Sequence, residues 1–149
     1  MREEVRQKIS LYLYHCARIV LGIVFIYASY DKILHPEAFA KIIHNYQILP
    51  DELINLTAIF LPWLELIIGC LLLSGVWIPG SVFIGNTLLI IFFCTLIYNK
   101  IRGLDINCGC FSTSPESSSY TSFYMVRDAI FVLIANYLFF KVYIKNRIR

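Results

Sequence analysis

Long apolar runs separated by short polar stretches are the main pattern in this chain. Four runs stand out, at residues 11–29, 53–73, 78–98 and about 122–143. Each is close to the roughly 20 residues that an α-helix needs to cross a bilayer. The pattern predicts an all-α integral membrane protein, a bundle of four transmembrane helices forming a single domain over residues 1–149. The first run is too long for the apolar region of a signal peptide, so we expect a retained helix.

The polar connection between the first two spans has a periodicity of its own. Pro36 is followed by Phe39, Ile42, Ile43 and Tyr46, which recur at the spacing of one helical face. Polar residues occupy the positions between them. The spacing predicts a short amphipathic helix lying along the membrane surface.

Composition and charge agree with a membrane domain. Hydrophobic residue types make up 58% of the chain and charged types 15%, against about 25% charged in soluble domains. No basic run is interleaved with aromatic residues, which excludes a nucleic-acid groove. Cationic residues favour the termini over the two long loops, seven against five, and the positive-inside rule then predicts cytoplasmic termini. The terminal set is Arg2, Arg6, Lys8, Lys141, Lys145, Arg147 and Arg149, and the loop set is Lys32, Lys41, Lys100, Arg102 and Arg127.

The segment between the third and fourth spans contains Cys108, Gly109 and Cys110. A disulfide prefers Cα atoms about 5.5–6 Å apart, which two cysteines separated by one residue meet poorly. A strained bridge has a higher reduction potential and exchanges readily, and glycine allows the tight backbone that it needs. Exchange also requires exposure and a lowered thiol pKa, for which Arg102 and Arg127 are candidate positive charges. The motif predicts a redox-active pair.

Two other interpretations of the cysteine pair stay open. A structural staple is one, although closing a one-residue loop removes almost no chain entropy. Metal binding is the other: two sulfurs are an incomplete zinc set, which His35 and His44 on the same predicted side would complete. Inside the spans, Cys16, Cys70 and Cys94 are expected to be buried as small hydrophobes. Of these, Cys94 lies nearest the outer face.

Two charges interrupt the apolar runs, and each is expensive in lipid without a partner. Arg18 lies ~10 Å into the first span and Glu65 ~12 Å from the end of the second, at 1.5 Å per residue. Because these helices run in opposite directions, the depths match and predict an intramembrane pair. The pair would fix helix packing or take part in proton or quinone chemistry. Asp128, next to Arg127, is favoured by the dipole at a helix start.

Several segments together resemble a known family. They are the Tyr-Ala-Ser-Tyr-Asp-Lys run at 27–32, Leu-Pro-Trp-Leu-Glu at 61–65, Cys-Gly-Cys-Phe at 108–111, and Arg127-Asp128. These are similar to the DoxX-like membrane proteins, and most closely to the methylamine-utilisation MauE branch. That family usually has glycine where this chain has Ser112. The resemblance implies a four-helix protein of the bacterial inner membrane, linked to thiol–disulfide handling by a periplasmic or extracellular loop, and MauE members are associated with maturation of methylamine dehydrogenase.

Three functions follow as hypotheses. The first is a membrane thiol–disulfide oxidoreductase or maturation factor, in which Cys108 and Cys110 exchange with a thioredoxin-like or exported protein and a quinone accepts electrons. The second is a non-enzymatic anchoring or assembly subunit of a membrane complex. The third is a metal-handling or transport protein built around Arg18 and Glu65, against which the unbroken short spans argue.

Overall fold

The computed structural model describes residues 2–103 and 121–144, with side chains over 3–103 and 125–144. Cys108, Gly109 and Cys110 lie outside the described residues. The described part forms five helices, α1 (Arg2–Leu34), α2 (Pro36–Tyr46), α3 (Asp51–Ser74), α4 (Ile78–Ile101) and α5 (Thr121–Tyr143). The all-α prediction is therefore confirmed over these residues.

Three of the described helices, α1, α3 and α4, are long and apolar enough to cross a membrane. They cover the first three predicted spans. The helix α5 lies where the fourth span was predicted, and its side chains are described only from residue 125. A fourth crossing therefore stays a prediction.

The helix α1 is longer than its apolar run. It has 33 residues, or about 50 Å at 1.5 Å per residue, against a hydrocarbon core of about 30 Å. It extends beyond the predicted residues 11–29 at both ends because charged residues such as Lys32 continue the helix without continuing the apolar pattern. Lys32, expected in a loop, is therefore part of α1.

The helices α1 and α3 are antiparallel and approach each other closely at two glycines. A Cβ atom placed on Gly69 would lie 2.9 Å from the carbonyl oxygen of Gly22 and 2.7 Å from Cγ1 of Ile26. Small residues at helix contacts permit such an approach in lipid. This contact fixes the register, so that Arg18 lies beside Gly75, which follows the end of α3.

The amphipathic helix between the first two spans is confirmed as α2. Its Phe39 and Ile43 pack against Ile54 and Ala58 of α3, and Ile42 is also buried. The apolar face therefore contacts another helix and is not free to lie in lipid. A position at the membrane surface stays a prediction for α2.

The remaining packing closes the bundle. The helices α4 and α5 lie side by side and share a hydrogen bond from Asn86 Nδ2 to Asn136 Oδ1 at 3.3 Å. Leu21, Phe25, Ile68, Leu72, Val82, Ala135, Leu138 and Val142 form the central core. Large apolar side chains such as Phe60 and Trp63 are instead exposed on the outside of α3, as expected for a surface in contact with lipid.

Candidate functional site at the loop-bearing end

A buried ion pair lies near one end of the bundle. Lys32 Nζ donates hydrogen bonds to both carboxylate oxygens of Glu65, at 2.7 and 2.8 Å. Each side chain is only 2% exposed. The ammonium group also lies over the rings of Phe39 and Phe92, 5.0 and 5.1 Å from their centroids. Residues of α1, α2, α3 and α4 thus surround one positive charge, an arrangement favoured by cation–π attraction.

The predicted partner of Glu65 was wrong. Lys32 occupies the position expected for Arg18, whose guanidinium group lies beside Gly75. The prediction measured depth from the start of the apolar run, whereas the glycine contact sets the true register of α1 and α3. Lys32 lies on the same helical face of α1 as Gly22 and Ser29, so helical spacing places its side chain toward α3. The apolar pattern gives no sign of this, because Lys32 lies beyond the apolar run.

A second ion pair lies next to the first. Arg127 donates from Nε and Nη2 to the same Oδ1 of Asp128, at 3.1 and 3.0 Å. The two predicted residues are therefore brought together, with Asp128 buried. Asp128 also interacts electrostatically with Lys32. Two cations and two carboxylates thus form a charge-balanced group, which we call the buried charge cluster. Its members are Lys32, Glu65, Arg127 and Asp128.

The helix α2 covers this cluster at its carboxyl end. Burial, and then the nearby Asp128 carboxylate, raise the pKa of the Tyr46 phenol above its ordinary value. The phenol is therefore held neutral beside the carboxylate. Tyr46 had been predicted only as part of the apolar face, because its spacing gave no sign of the charge beside it.

A small cavity adjoins the buried charge cluster. Its volume is about 30 Å³, and Lys32, Glu65 and Asp128 share its walls with Phe92, Phe131 and other apolar side chains. A water molecule needs at least about 10–15 Å³ by this measure. The space therefore fits one or two waters.

Arg102 and Arg127, the two cations expected to assist the cysteines, have different environments. Arg102 Nη2 donates to Gln47 Oε1 at 3.0 Å, and its guanidinium lies 5.4 Å from the Tyr98 ring centroid. In the described part of the chain no carboxylate pairs with Arg102, whereas Arg127 is bound to Asp128. Arg102 is exposed at the end of the bundle where α4 finishes and α5 begins, which we call the loop-bearing end.

The span cysteines differ from the expectation, whereas a metal site shared by His35, His44 and the loop cysteines stays a prediction, because the loop cysteines lie outside the described residues. Cys16, Cys70 and Cys94 are free and exposed on the helix surfaces, so the prediction that they are buried was wrong. A thiol is apolar enough to face lipid as well as a core. Across residues 2–103 and 121–144 no group of three or more potential metal-binding side chains occurs. The exposed His44 has Asp51 as its neighbour, with 3.8 Å between Nε2 and Oδ1.

Comparison with known proteins gives the family. A family profile described as methylamine utilisation protein MauE matches residues 10–141. The chain belongs to this family. It is 33% identical over 96 residues to the methylamine utilization protein MauE of Paracoccus denitrificans. The aligned region covers 63% of this chain and 51% of that protein.

Two further MauE relatives show the same relationship. The protein of Methylorubrum extorquens is 33% identical over 95 residues, covering 63% of this chain and 51% of the relative. The protein of Methylophilus methylotrophus is 29% identical over 115 residues, and the aligned region covers 74% of this chain and 59% of the relative. This chain thus spans little more than half the length of the curated relatives it matches. No solved structure matches it.

Proposed function

We propose that this MauE-family chain is a membrane accessory protein of methylamine utilisation that exchanges thiols and disulfides with an exported protein through Cys108 and Cys110. The observation that carries the proposal is the Cys-Gly-Cys motif in the segment between α4 and α5. A pair separated by a single glycine is poorly suited to a stable staple and well suited to exchange.

The proposed exchange is balanced between two protein partners. A thiolate of the exported protein attacks the Cys108–Cys110 disulfide, and a mixed disulfide forms as the other loop sulfur leaves as a thiolate. The partner's second thiol then resolves the mixed disulfide, so two electrons and two protons have moved from the partner to the loop. A thioredoxin-like disulfide protein reoxidises the loop by the same two steps. No step of this cycle needs a quinone.

The charges at the loop-bearing end support this proposal. A nearby positive charge lowers a thiol pKa and raises the thiolate fraction. Arg102, six residues before Cys108 in the sequence, is exposed and has no carboxylate partner among the described residues. Arg127 is neutralised by Asp128 and is the weaker candidate. We therefore assign the activating role to Arg102, and a supporting role to Arg127 and Asp128.

We also propose that the termini are cytoplasmic and that the loop-bearing end faces the periplasm or the exterior. Arg18 lies at the α3–α4 turn, on the side of the termini. Adding Arg18 to the seven terminal cations gives eight Lys and Arg residues on that side against five on the loop side, and the positive-inside rule assigns the richer side to the cytoplasm.

Trapping of mixed disulfides in living cells tests the exchange. Cells expressing Cys108→Ser or Cys110→Ser would be treated with acid to stop exchange and compared on non-reducing gels, with Cys94→Ser as a control that leaves the loop pair intact. The expected result is a reproducible adduct from one loop variant, removed by reductant, and none from the other loop variant or the control.

Two results would contradict the proposal. One is the absence of adducts together with normal disulfide formation in exported cysteine proteins when both loop cysteines are replaced, which would favour an anchoring subunit. The other is labelling of the loop thiols only by reagents that enter the cytoplasm.

A further inference from the structure

Arg18 lies at the end of the bundle opposite the buried charge cluster. Its side chain is half-buried, and its Nε atom is buried with no hydrogen-bond partner. Among the described residues no carboxylate forms an ion pair with it. A partly desolvated charge in this state is unfavourable unless an external group compensates it.

The turn beside Arg18 lies where a membrane interface is expected. A Cβ atom on Gly75 would lie 2.9 Å from Arg18 Nη1, and Gly75 also has a φ of +77°. Only glycine therefore suits both the left-handed backbone and the space that the guanidinium occupies. Two residues later, Trp77 is 66% exposed, and exposed tryptophan at a helix end is typical of the headgroup region.

The amino terminus of α4 lies at the same turn. The helix α4 begins at Ile78, and its N-terminus has no side-chain cap. The positive end of a 24-residue helix therefore opens at this turn. It adds to the field of the Arg18 guanidinium, and both favour an anion.

Compensating negative charge is distant along α1. The nearest acidic residue on the amino-terminal side, Glu4, precedes Arg18 by 14 residues, or about 21 Å along a helix. Lys141, the nearest described cation on α5 at this end, donates to Ser10 Oγ and adds positive charge. The environment of Arg18 therefore favours an anion supplied from outside the chain.

We propose that Arg18 binds the phosphate of an anionic phospholipid at the α3–α4 turn. A guanidinium group donates two parallel hydrogen bonds to a phosphate, which an ammonium cannot do in the same geometry. Basic pockets between transmembrane helices on the cytoplasmic side bind lipid headgroups by this chemistry. The lipid acyl chains would continue along the exposed apolar surface of α1.

Trp77 provides a local probe of this site. The chain has two tryptophans, so a Trp63→Phe background leaves Trp77 as the single indole. Detergent-purified protein would be titrated with phosphatidylglycerol, with phosphatidylethanolamine, or with inorganic phosphate, while Trp77 emission and the melting temperature are followed. Arg18→Gln removes the charge, and Arg18→Lys keeps the charge without the two parallel hydrogen bonds. Lys41→Gln, at an exposed position of α2, removes a charge elsewhere and is the matched control.

The expected result is a saturable change with phosphatidylglycerol but not with phosphatidylethanolamine or phosphate. Arg18→Gln should weaken apparent affinity about tenfold, since charge-assisted hydrogen bonds are the strong ones. Arg18→Lys should weaken it less, and it carries the test alone if Arg18→Gln fails to fold. Equal responses of wild type and both Arg18 variants, or an equal loss in Lys41→Gln, would overturn the proposal. A response to inorganic phosphate alone would show a site for the free anion and would also overturn it.

Discussion

Replacing Glu65 by Gln should destabilise the protein more than any exposed acidic substitution. The change preserves the side-chain volume and removes the charge that accepts two hydrogen bonds from Lys32. Lys32 is 2% exposed, so bulk water cannot solvate the ammonium group, and the one or two waters that the adjoining cavity fits carry no compensating charge. Asp128, the other carboxylate on the cavity wall, already accepts from Arg127. The variant therefore leaves a buried, uncompensated ammonium group.

The size of the effect follows from the burial of both partners. Removing one member of a buried pair costs about 3–5 kcal/mol. For a chain of about 150 residues each kcal/mol lowers the melting temperature by roughly 2–4 °C. The expected loss is therefore about 6–20 °C, measured as the temperature at which a monodisperse peak disappears after heating in detergent. Glu52→Gln, an exposed change in the first turn of α3, should stay within about 2 °C of wild type.

A second substitution distinguishes Lys32 from Arg18 as the partner. Lys32→Met removes the stranded charge at similar volume, so the double variant Lys32→Met/Glu65→Gln should melt well above Glu65→Gln alone. Arg18→Met combined with Glu65→Gln should give no such recovery. Recovery by the Arg18 change and not by the Lys32 change would refute the assignment of the pair. So would an unaltered melting temperature in Glu65→Gln.

Three further predictions concern the loop-bearing end and the helix contact. Arg102→Gln should raise the pKa of the loop thiols by up to about one pH unit, measured from the pH dependence of their alkylation. Arg127→Gln should raise that pKa less, and a larger rise in Arg127→Gln than in Arg102→Gln would reject the assignment of Arg102. Tyr46→Phe should leave the phenolate absorbance titration unchanged between about pH 9 and 11, where ordinary tyrosines ionise, whereas a full one-tyrosine loss there would show a normal phenol. Gly69→Ala should cost about 1–3 kcal/mol by overpacking against Gly22 and lower the melting temperature accordingly, and a fully stable variant would mean that the two helices are not in close contact.

The helices could be predicted from the sequence because lipid imposes a length on every apolar run. Hydropathy does not show where a helix ends when its last turns are polar, and α1 therefore extends beyond its apolar run at both ends. Lys32 lies beyond the apolar run, whose end predicts a loop there, but it continues the helix on the face that carries Gly22 and Ser29. The amphipathic spacing that begins at Phe39 predicted α2 correctly, but not the surface that its apolar face covers.

The pairing of charges could not be predicted from depth alone. Depth comparison assumes that both helices begin at a common plane, whereas the contact between Gly22 and Gly69 sets the actual offset. Gly22 and Gly69 let α1 and α3 approach closely, and only their three-dimensional register shows which charged residue then faces Glu65. The Cys108–Cys110 motif is the converse case, since its chemistry comes from residue spacing and lies outside the described residues.

The two cations of α1 have different consequences for the molecule because one is compensated and the other is not. Lys32 is paired with Glu65 inside the bundle, so it contributes to packing. Arg18 has no carboxylate partner among the residues that the structure describes and lies beside the α3–α4 turn, so it contributes to the field at that face and to orientation. Neutralising Lys32 together with Glu65 should therefore leave the topology intact, whereas changes at Arg18 act on the contact with the bilayer. The position of a charge relative to its partner, more than its presence in an apolar run, decides which of these roles it has.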